Sequence, residues 1–279
     1  MDFKEIKFET QGSTAIITFN RPEVMNCIGP VTHQELVAAF QEFKTNDQLK
    51  VAVITGAGEK AFCAGGDLKA AFNGELIDMS SEELKIHRDG KADGILGPSR
   101  WTDIYKPIIT AVNGVAYAGG LEWACFADMR IAAANASFGV TCRRWNIGLA
   151  DGGTQRLPRI VGMGRAMELI ITGKVIDAQE AYRIGLANEV VPEGEALKRA
   201  LELAQFISEL PQPAIVSDKE AAYRGFGESL DEGLKIEANK FLDSIVDPAS
   251  QKGLEQFNKR LHPDRQYDQT PKTPGIVRG

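Results

Sequence analysis

Apolar and polar positions alternate over residues 3–10 and 15–19, which predicts two strands joined by a turn at Gln11-Gly12-Ser13, with Arg21-Pro22 ending the second. Residues 31–44 set Leu36, Phe40 and Phe43 on one helical face. The β-branched run 51–55 predicts a buried strand, 56–66 a loop, and Gly66-Asp67 the start of a helix. Residues 73–99 are polar and glycine-rich with weak periodicity, the composition of a mobile segment over a pocket. A strand at 108–112 precedes a helix opening at Gly119-Gly120 and running through Phe126. Strands at 129–133, 137–140 and 189–191 and helices at 154–161, 165–172 and 178–184 complete a mixed β/α pattern. From Glu193 to about residue 261 the pattern is helical, with Leu197, Leu201, Ala204 and Phe206 or Ile207 as an apolar stripe. The chain thus reads as a core over 1–192, a helical region over 193–262 and a flexible, proline-bearing tail over 263–279.

Composition narrows the function classes. A net charge of -6 with no basic tract argues against a nucleic-acid partner. The four cysteines, Cys27, Cys63, Cys125 and Cys142, show no close pairing, so neither a disulfide framework nor a zinc site is expected. The histidines, His33, His87 and His262, are scattered, and no metal is expected. The first twenty residues carry Asp2, Glu5 and Glu9 and lack the apolar core of a signal peptide, and no apolar run approaches the ~20 residues that span a bilayer. A cytoplasmic protein without a membrane partner is the expectation, with organelle import left open for a processed form.

Two glycine-bearing stretches are the main chemical candidates. Residues 61–68 (Ala-Phe-Cys-Ala-Gly-Gly-Asp-Leu) and 113–122 (Asn-Gly-Val-Ala-Tyr-Ala-Gly-Gly-Leu-Glu) each follow a strand and open a helix. Such an end exposes unpaired backbone N–H groups where the helix dipole favours negative charge. Two of them converging on one point make an oxyanion hole. Either stretch alone is equally what a tight turn or close packing would require. Neither has the spacing of a Walker or a Rossmann loop.

Taken together and in this order, the two stretches resemble the enoyl-CoA hydratase/isomerase (crotonase) family. So do the run Ile147-Gly148-Leu149-Ala150-Asp151-Gly152-Gly153-Thr154-Gln155-Arg156-Leu157-Pro158-Arg159, the tripeptide Asn20-Arg21-Pro22, and residues 169–173 and 181–191. The resemblance covers roughly residues 3–260 and implies an α/β fold, a spiral of β-β-α turns followed by a C-terminal helical oligomerisation region. It implies a homotrimer or homohexamer and a coenzyme A thioester as substrate, with no further cofactor. The family's two oxyanion N–H groups fall on Gly66 and Gly119, and its first catalytic glutamate falls on Glu122. The plainer reading of Glu122 is an acid that complements the dipole of its own helix. Coenzyme A is implied along Val24, Met25, Ala64, Gly66, Asp67 and Leu68, with Arg21 and Lys259 toward its phosphates; for these basic residues solvated surface is the alternative.

The sequence departs from the hydratase pattern at one position. A second glutamate of the family falls on Cys142, in Phe138-Gly139-Val140-Thr141-Cys142-Arg143-Arg144-Trp145. A thiol does not hold and deliver water as a carboxylate does, and its default role is a small core residue. Asp151 is the candidate replacement, since several branches of the family place a working carboxylate in this loop; as Asp it would equally serve as a helix N-cap. Cys142 and Trp145, with Arg143 and Arg144, are candidates to line the acyl end, against core packing for Trp145 and a surface ion pair for an arginine. The expected activity is hydration of a 2-enoyl-CoA or the reverse dehydration. The alternatives are an enoyl- or dienoyl-CoA isomerase, or a CoA-thioester or β-diketone hydrolase, using Asp151. A non-catalytic binding protein is a further class, opposed by the retained Glu122.

Overall fold

The computed structural model describes residues 2–76, 81–90 and 93–259. The predicted tail over 263–279 lies outside the described residues. Two compact units divide the chain, the first ending at Ile207 and the second beginning at Ser208.

In the first unit, β1 (Ile6–Gln11) and β2 (Thr14–Phe19) form the predicted hairpin, with Gly12 taking the left-handed conformation of the turn. Helix α1 (Pro30–Thr45) buries Leu36, Phe40 and Phe43, the face its periodicity marks out. Three β-β-α turns follow. The first is β3 (Val51–Gly56), β4 (Ala61–Cys63) and the short α2 (Leu68–Phe72). Helix α3 (Ser81–Arg88) then precedes the second turn, β5 (Ile108–Val112), β6 (Val115–Tyr117) and α4 (Gly119–Phe126). The third is β7 (Met129–Ala133), β8 (Ser137–Gly139) and α5 (Gly153–Val161). Helix α6 (Met163–Thr172), β9 (Val175–Asp177), α7 (Ala178–Arg183), β10 (Glu189–Val191) and α8 (Ala196–Glu209) follow.

Each turn gives its first strand to one sheet and its second strand to another. The first strands lie in a six-stranded sheet ordered β1-β2-β3-β5-β7-β10; the second strands lie in a four-stranded sheet ordered β4-β6-β8-β9. All pairings are parallel except β1 with β2 and β8 with β9. The C-terminal ends of β4, β6 and β8 therefore lie side by side, and the segment leaving each one starts from the same edge. That edge carries the candidate site.

Of the smaller sheet the sequence pattern discloses only β8. Residues 61–63 fall in the expected loop 56–66, and β6 and β9 have no counterpart among the predicted strands. Three-residue strands are too short to show a period of two, and their pairing depends on partners far along the chain. The aromatic side chains settle the core between the sheets and α1. Trp123 is fully buried, with the Phe126 ring centroid at 5.1 Å and that of Phe40 at 5.4 Å. On α8 the buried line is Ala196, Ala200, Ala204 and Ile207, displaced by one residue from the Leu197 and Leu201 of the expected stripe, which are half-buried. Small side chains let the helix sit closer to its support.

In the second unit α9 (Gln212–Gly225) packs on α10 (Leu230–Ile245), and the buried Ser217 hydroxyl donates to the Lys240 carbonyl at 2.5 Å. Helix α11 (Pro248–Asn258) follows. Along α10, Leu230, Leu234, Phe241 and Leu242 are exposed. No helix among the described residues is long and apolar enough to cross a membrane.

The contact that brings α4 against β4 is made by Gly120, where an added Cβ would run into the carbonyl of Cys63. Gly120→Ala is expected to destabilise the protein by about 3 kcal/mol through overpacking against backbone that has nowhere to move, as read from the urea midpoint at constant m-value.

Candidate active site

Strand β4 ends at Cys63, and the chain turns through Gly65 (φ 99°) into Gly66 and Asp67. Strand β6 ends at Tyr117 and turns through Ala118, an alanine held at φ 50°, into Gly119 at the start of α4. Because β4 and β6 are adjacent and parallel, the two turns meet. A Cβ on Gly119 would overlap Leu96 Cδ1, and it would stand 3.3 Å from Gly65 Cα and 3.6 Å from Gly66 N. Neither the Gly66 nor the Gly119 N–H has a hydrogen-bond partner among the described residues. Two free donors thus stand together beside buried surface, the arrangement that attracts a carbonyl oxygen acquiring negative charge.

Glu122 lies one turn into α4 and is 3 % exposed. Its carboxylate does not serve the first turn of its own helix. Oε1 instead accepts from the backbone N–H of Asp151 and of Gly153, each at 2.8 Å, so the reading as a mere dipole complement fails. Close approach to α5 is possible because position 153 has no side chain; a Cβ there would lie 2.8 Å from Glu122 Cγ. Burial, and then the negative charge of Asp151, push the Glu122 pKa up to about 7, against the opposing pull of the neighbouring backbone N–H groups.

Asp151 is 2 % exposed and does not cap α5; Gly152 (φ 99°) is the N-cap, without a side-chain bond. The Asp151 Oδ1 accepts three hydrogen bonds from one short segment: Ile95 N–H at 2.9 Å, Leu96 N–H at 2.9 Å and the Ser99 hydroxyl at 2.5 Å. Of the two readings of Asp151, the N-cap therefore fails, and the side chain instead clamps a segment far along the chain. The same segment is held by Gly97 N–H donating to His33 Nδ1 at 2.9 Å and by Trp123 Nε1–H donating to the Leu96 carbonyl at 3.0 Å. Arg156 Nη1 donates to the Ser99 carbonyl at 2.6 Å. Part of the stretch expected to be a mobile cover is thus tied down, and Leu96 rests against both glycines. His33, Ser99 and Leu96 carry no signal in the sequence, since their roles arise from contacts far along the chain.

The two carboxylates share one design. Each has one oxygen that takes these bonds, Glu122 Oε1 and Asp151 Oδ1, and each has a second, Oε2 and Oδ2, that takes none of them. An oxygen accepting two or three donors has no place for a proton, so a proton carried by either carboxyl sits on Oε2 or Oδ2.

The remaining predicted residues are placed as follows. Cys142 follows β8, the third parallel strand, and is buried. Burial raises its thiol pKa; Arg143 lowers it and the Glu122 charge raises it further, so the thiol stands within electrostatic reach of both. Trp145 is exposed, contrary to core packing. Asp67 caps α2, with Oδ1 accepting from Lys69 N–H at 3.1 Å and Ala70 N–H at 3.3 Å. Its burial would raise the pKa, but the Ala70 N–H, Arg21 and the Lys69 N–H together lower it. The Arg21 guanidinium donates to Asp67 Oδ2 at 3.2 Å and to the Cys27 carbonyl at 2.8 Å, and pairs with Glu5 at 3.4 Å. Its donors are thus spent on bracing the turn rather than displayed to solvent. That turn carries Val24 (exposed) and Met25 (φ 58°), whose carbonyl accepts from Ala64 N–H at 3.0 Å; Leu68 is exposed. Lys259, the other basic residue implied at the phosphates, belongs to the second unit, where it pairs with Glu255 at 4.0 Å.

The repeated β-β-α turns and the paired glycine donors define a crotonase-like protein. The chain matches the enoyl-CoA hydratase/isomerase family over residues 9–268. It is 38% identical over 244 residues to the short-chain-enoyl-CoA hydratase of Clostridium acetobutylicum, covering 86% of this chain and 89% of that one. It is 36% identical over 260 residues to the crotonyl-CoA hydratase of Syntrophomonas wolfei, covering 92% and 96%. The crystal structure of an enoyl-CoA hydratase from Bacillus anthracis superposes with a TM-score of 0.80 at 34% identity, covering 92% of this chain and 97% of that one. The chain belongs to the enoyl-CoA hydratase/isomerase family.

The Glu122 environment has a consequence for stability. Its folded pKa of about 7 lies above the ordinary value of 4.5, so the stability tied to its protonated form is complete below pH 4.5 and lost as pH rises through 7. Glu122→Gln carries no such loss. Relative to native protein the variant should gain on the order of 3 kcal/mol between about pH 4.5 and about pH 8, as thermal melts at the two pH values would record.

Proposed function

We propose that this protein is an enoyl-CoA hydratase, a lyase that adds water across the double bond of a trans-2-enoyl-CoA and catalyses the reverse dehydration. The observation that carries the reading is the pair of unpartnered N–H groups on Gly66 and Gly119 with two half-anchored carboxylates, Glu122 and Asp151, beside them. Relatives named as enoyl-CoA hydratases support it.

In this reading the thioester oxygen sits between the Gly66 and Gly119 N–H groups. As water attacks C3, electrons move through C2 to that oxygen, and the two donors stabilise the enolate. Asp151 Oδ2 takes the proton released by the attacking water, and Glu122 Oε2–H delivers one to C2. Passing the proton from Asp151 to Glu122, directly or through water, restores the starting state. A Glu122 pKa of about 7 suits this work, because the group holds a proton in part of the population near neutrality and gives it up readily. Coenzyme A lies along Val24, Met25, Ala64 and Leu68, with Asp67 and Arg21 holding that turn in shape. The thioester is the substrate and no other cofactor takes part. Cys142 and Trp145 border the acyl side. A trimer, or a hexamer of paired trimers, belongs to the same reading, supported by the exposed apolar line on α10.

The same pair of carboxylates also suits moving a proton between C2 and C4, so isomerisation is the second reading, supported by Asp151 standing in for a glutamate at position 142. With crotonyl-CoA and longer 2-enoyl-CoAs both reactions remove the conjugated thioester absorbance, so the identity of the product separates the two. Hydration predicts a 3-hydroxyacyl-CoA product and a kcat reduced by ~10²–10⁴ in Glu122→Gln and in Asp151→Asn. Binding of the thioesters without any 3-hydroxyacyl product would end the hydratase reading. Hydration needs protonated Glu122, so its kcat/KM should fall as pH rises through about 7, while dehydration, needing the ionised form, should rise over the same interval.

A further inference from the structure

The Asp151 carboxylate is steered by a side chain that touches neither glycine donor nor Glu122. Ser99 is fully buried, and its hydroxyl donates to Asp151 Oδ1 at 2.5 Å. It sits on a short helical turn (Pro98–Arg100) whose backbone is fixed independently. The Ser99 carbonyl is held by Arg156 at 2.6 Å, the Arg100 guanidinium Nε donates to the Ala150 carbonyl at 2.8 Å, and Trp101 Nε1–H donates to Asp93 at 2.8 Å. The turn does not depend on the Ser99 hydroxyl for its shape. The hydroxyl is instead the one side-chain donor among three aimed at Oδ1, the others being the Ile95 and Leu96 N–H groups. There is no room to spare around it: a Cβ on Gly94 (φ 135°) would overlap Ser99 Oγ and lie 2.8 Å from Asp151 Oδ1. A carboxylate with two donors on one oxygen still rotates about χ2 within the arc they allow. A third donor from a different direction narrows that arc and leaves Oδ2 as the oxygen turned away from the clamp.

We propose that Ser99 is a positioning residue of the reaction: its hydroxyl fixes the rotation of the Asp151 carboxylate so that Oδ2 meets the attacking water. The inference rests on Asp151 being the carboxylate that receives the water proton. A positioning error of this kind acts on the chemical step and not on thioester binding, because the coenzyme A turn at residues 21–28 and both oxyanion glycines lie on other segments.

The test is a double-mutant cycle on the full chain. Ser99→Ala should lower kcat for hydration of crotonyl-CoA about tenfold with KM changed less than about twofold. Ser99→Cys, which keeps a weak donor of similar size, should recover part of that loss. In an Asp151→Asn background, Ser99→Ala should cost nothing further in kcat, since it acts through the carboxylate already removed. Thermal melts establish that each variant is folded. A loss that is as large in the Asp151→Asn background as in native protein overturns the proposal in favour of general support of the segment. So does a Ser99→Ala enzyme with native kcat, or one whose loss lies in KM. If Asp151→Asn itself retains native kcat, the assignment of Asp151 to water fails first, a result distinguishable from failure of Ser99 alone.

Discussion

Everything at the site depends on how closely the end of β4 approaches the start of α4. Gly120 lies against the Cys63 carbonyl with no space for a methyl group, and Gly119 faces Gly65 and Gly66 across the same gap. Parallel pairing of β4 with β6 brings the strand ends level; absent side chains let the backbones close. The cost appears in the backbone itself. Ala118 occupies a positive-φ conformation that an L-residue with a Cβ takes rarely, and it is held there by its N–H donating to the Gly139 carbonyl at the end of β8. The residue that follows this strained turn is Gly119, whose N–H has no hydrogen-bond partner among the described residues and lies beside Gly66.

A second layer of organisation comes from burying two carboxylates near one another. Taking ionised groups out of water is expensive unless donors replace the solvent, and two like charges add to that expense. Five donors do so here: two N–H groups on Glu122 Oε1, and two N–H groups and a hydroxyl on Asp151 Oδ1. The donors come from loops and from a helix start rather than from the turns that carry the carboxylates themselves. Residues 151–153 and 95–99 are thereby tied to the carboxylates in one buried polar network. The remaining cost of burial, and after it the repulsion from Asp151, shows as the raised pKa of Glu122.

How far the sequence discloses this follows from the range of each interaction. The larger sheet and α1 are legible because their residues repeat with a period of two or 3.6 along the chain. Gly66, Gly119 and Glu122 are legible only through a family resemblance; glycines by themselves fit a bland turn as well as an oxyanion hole. Asp151 is a candidate from sequence, yet its local setting, an acid before a helix, suggests a cap, and the structure gives that place to Gly152. Its true partners, Ile95, Leu96 and Ser99, lie 52 to 56 residues earlier, in a stretch whose polar composition suggests mobility. The resemblance makes Arg21 and Asp67 ligand contacts, whereas they face each other, a pairing no local pattern encodes.

Cys142 fits into this account through charge. The resemblance places a glutamate there, at the end of the third parallel strand, within electrostatic reach of Glu122. With Asp151 already close enough to Glu122 to raise its pKa, a carboxylate at 142 would be a third negative charge at one buried edge. A thiol whose pKa is raised by burial remains neutral and adds no charge. Position 142 therefore adds no charge, and the buried carboxylates at this edge are Glu122 and Asp151. Asp151 is anchored by residues 95–99, so its carboxylate and the Leu96 side chain that lies against both glycines are tied to one segment.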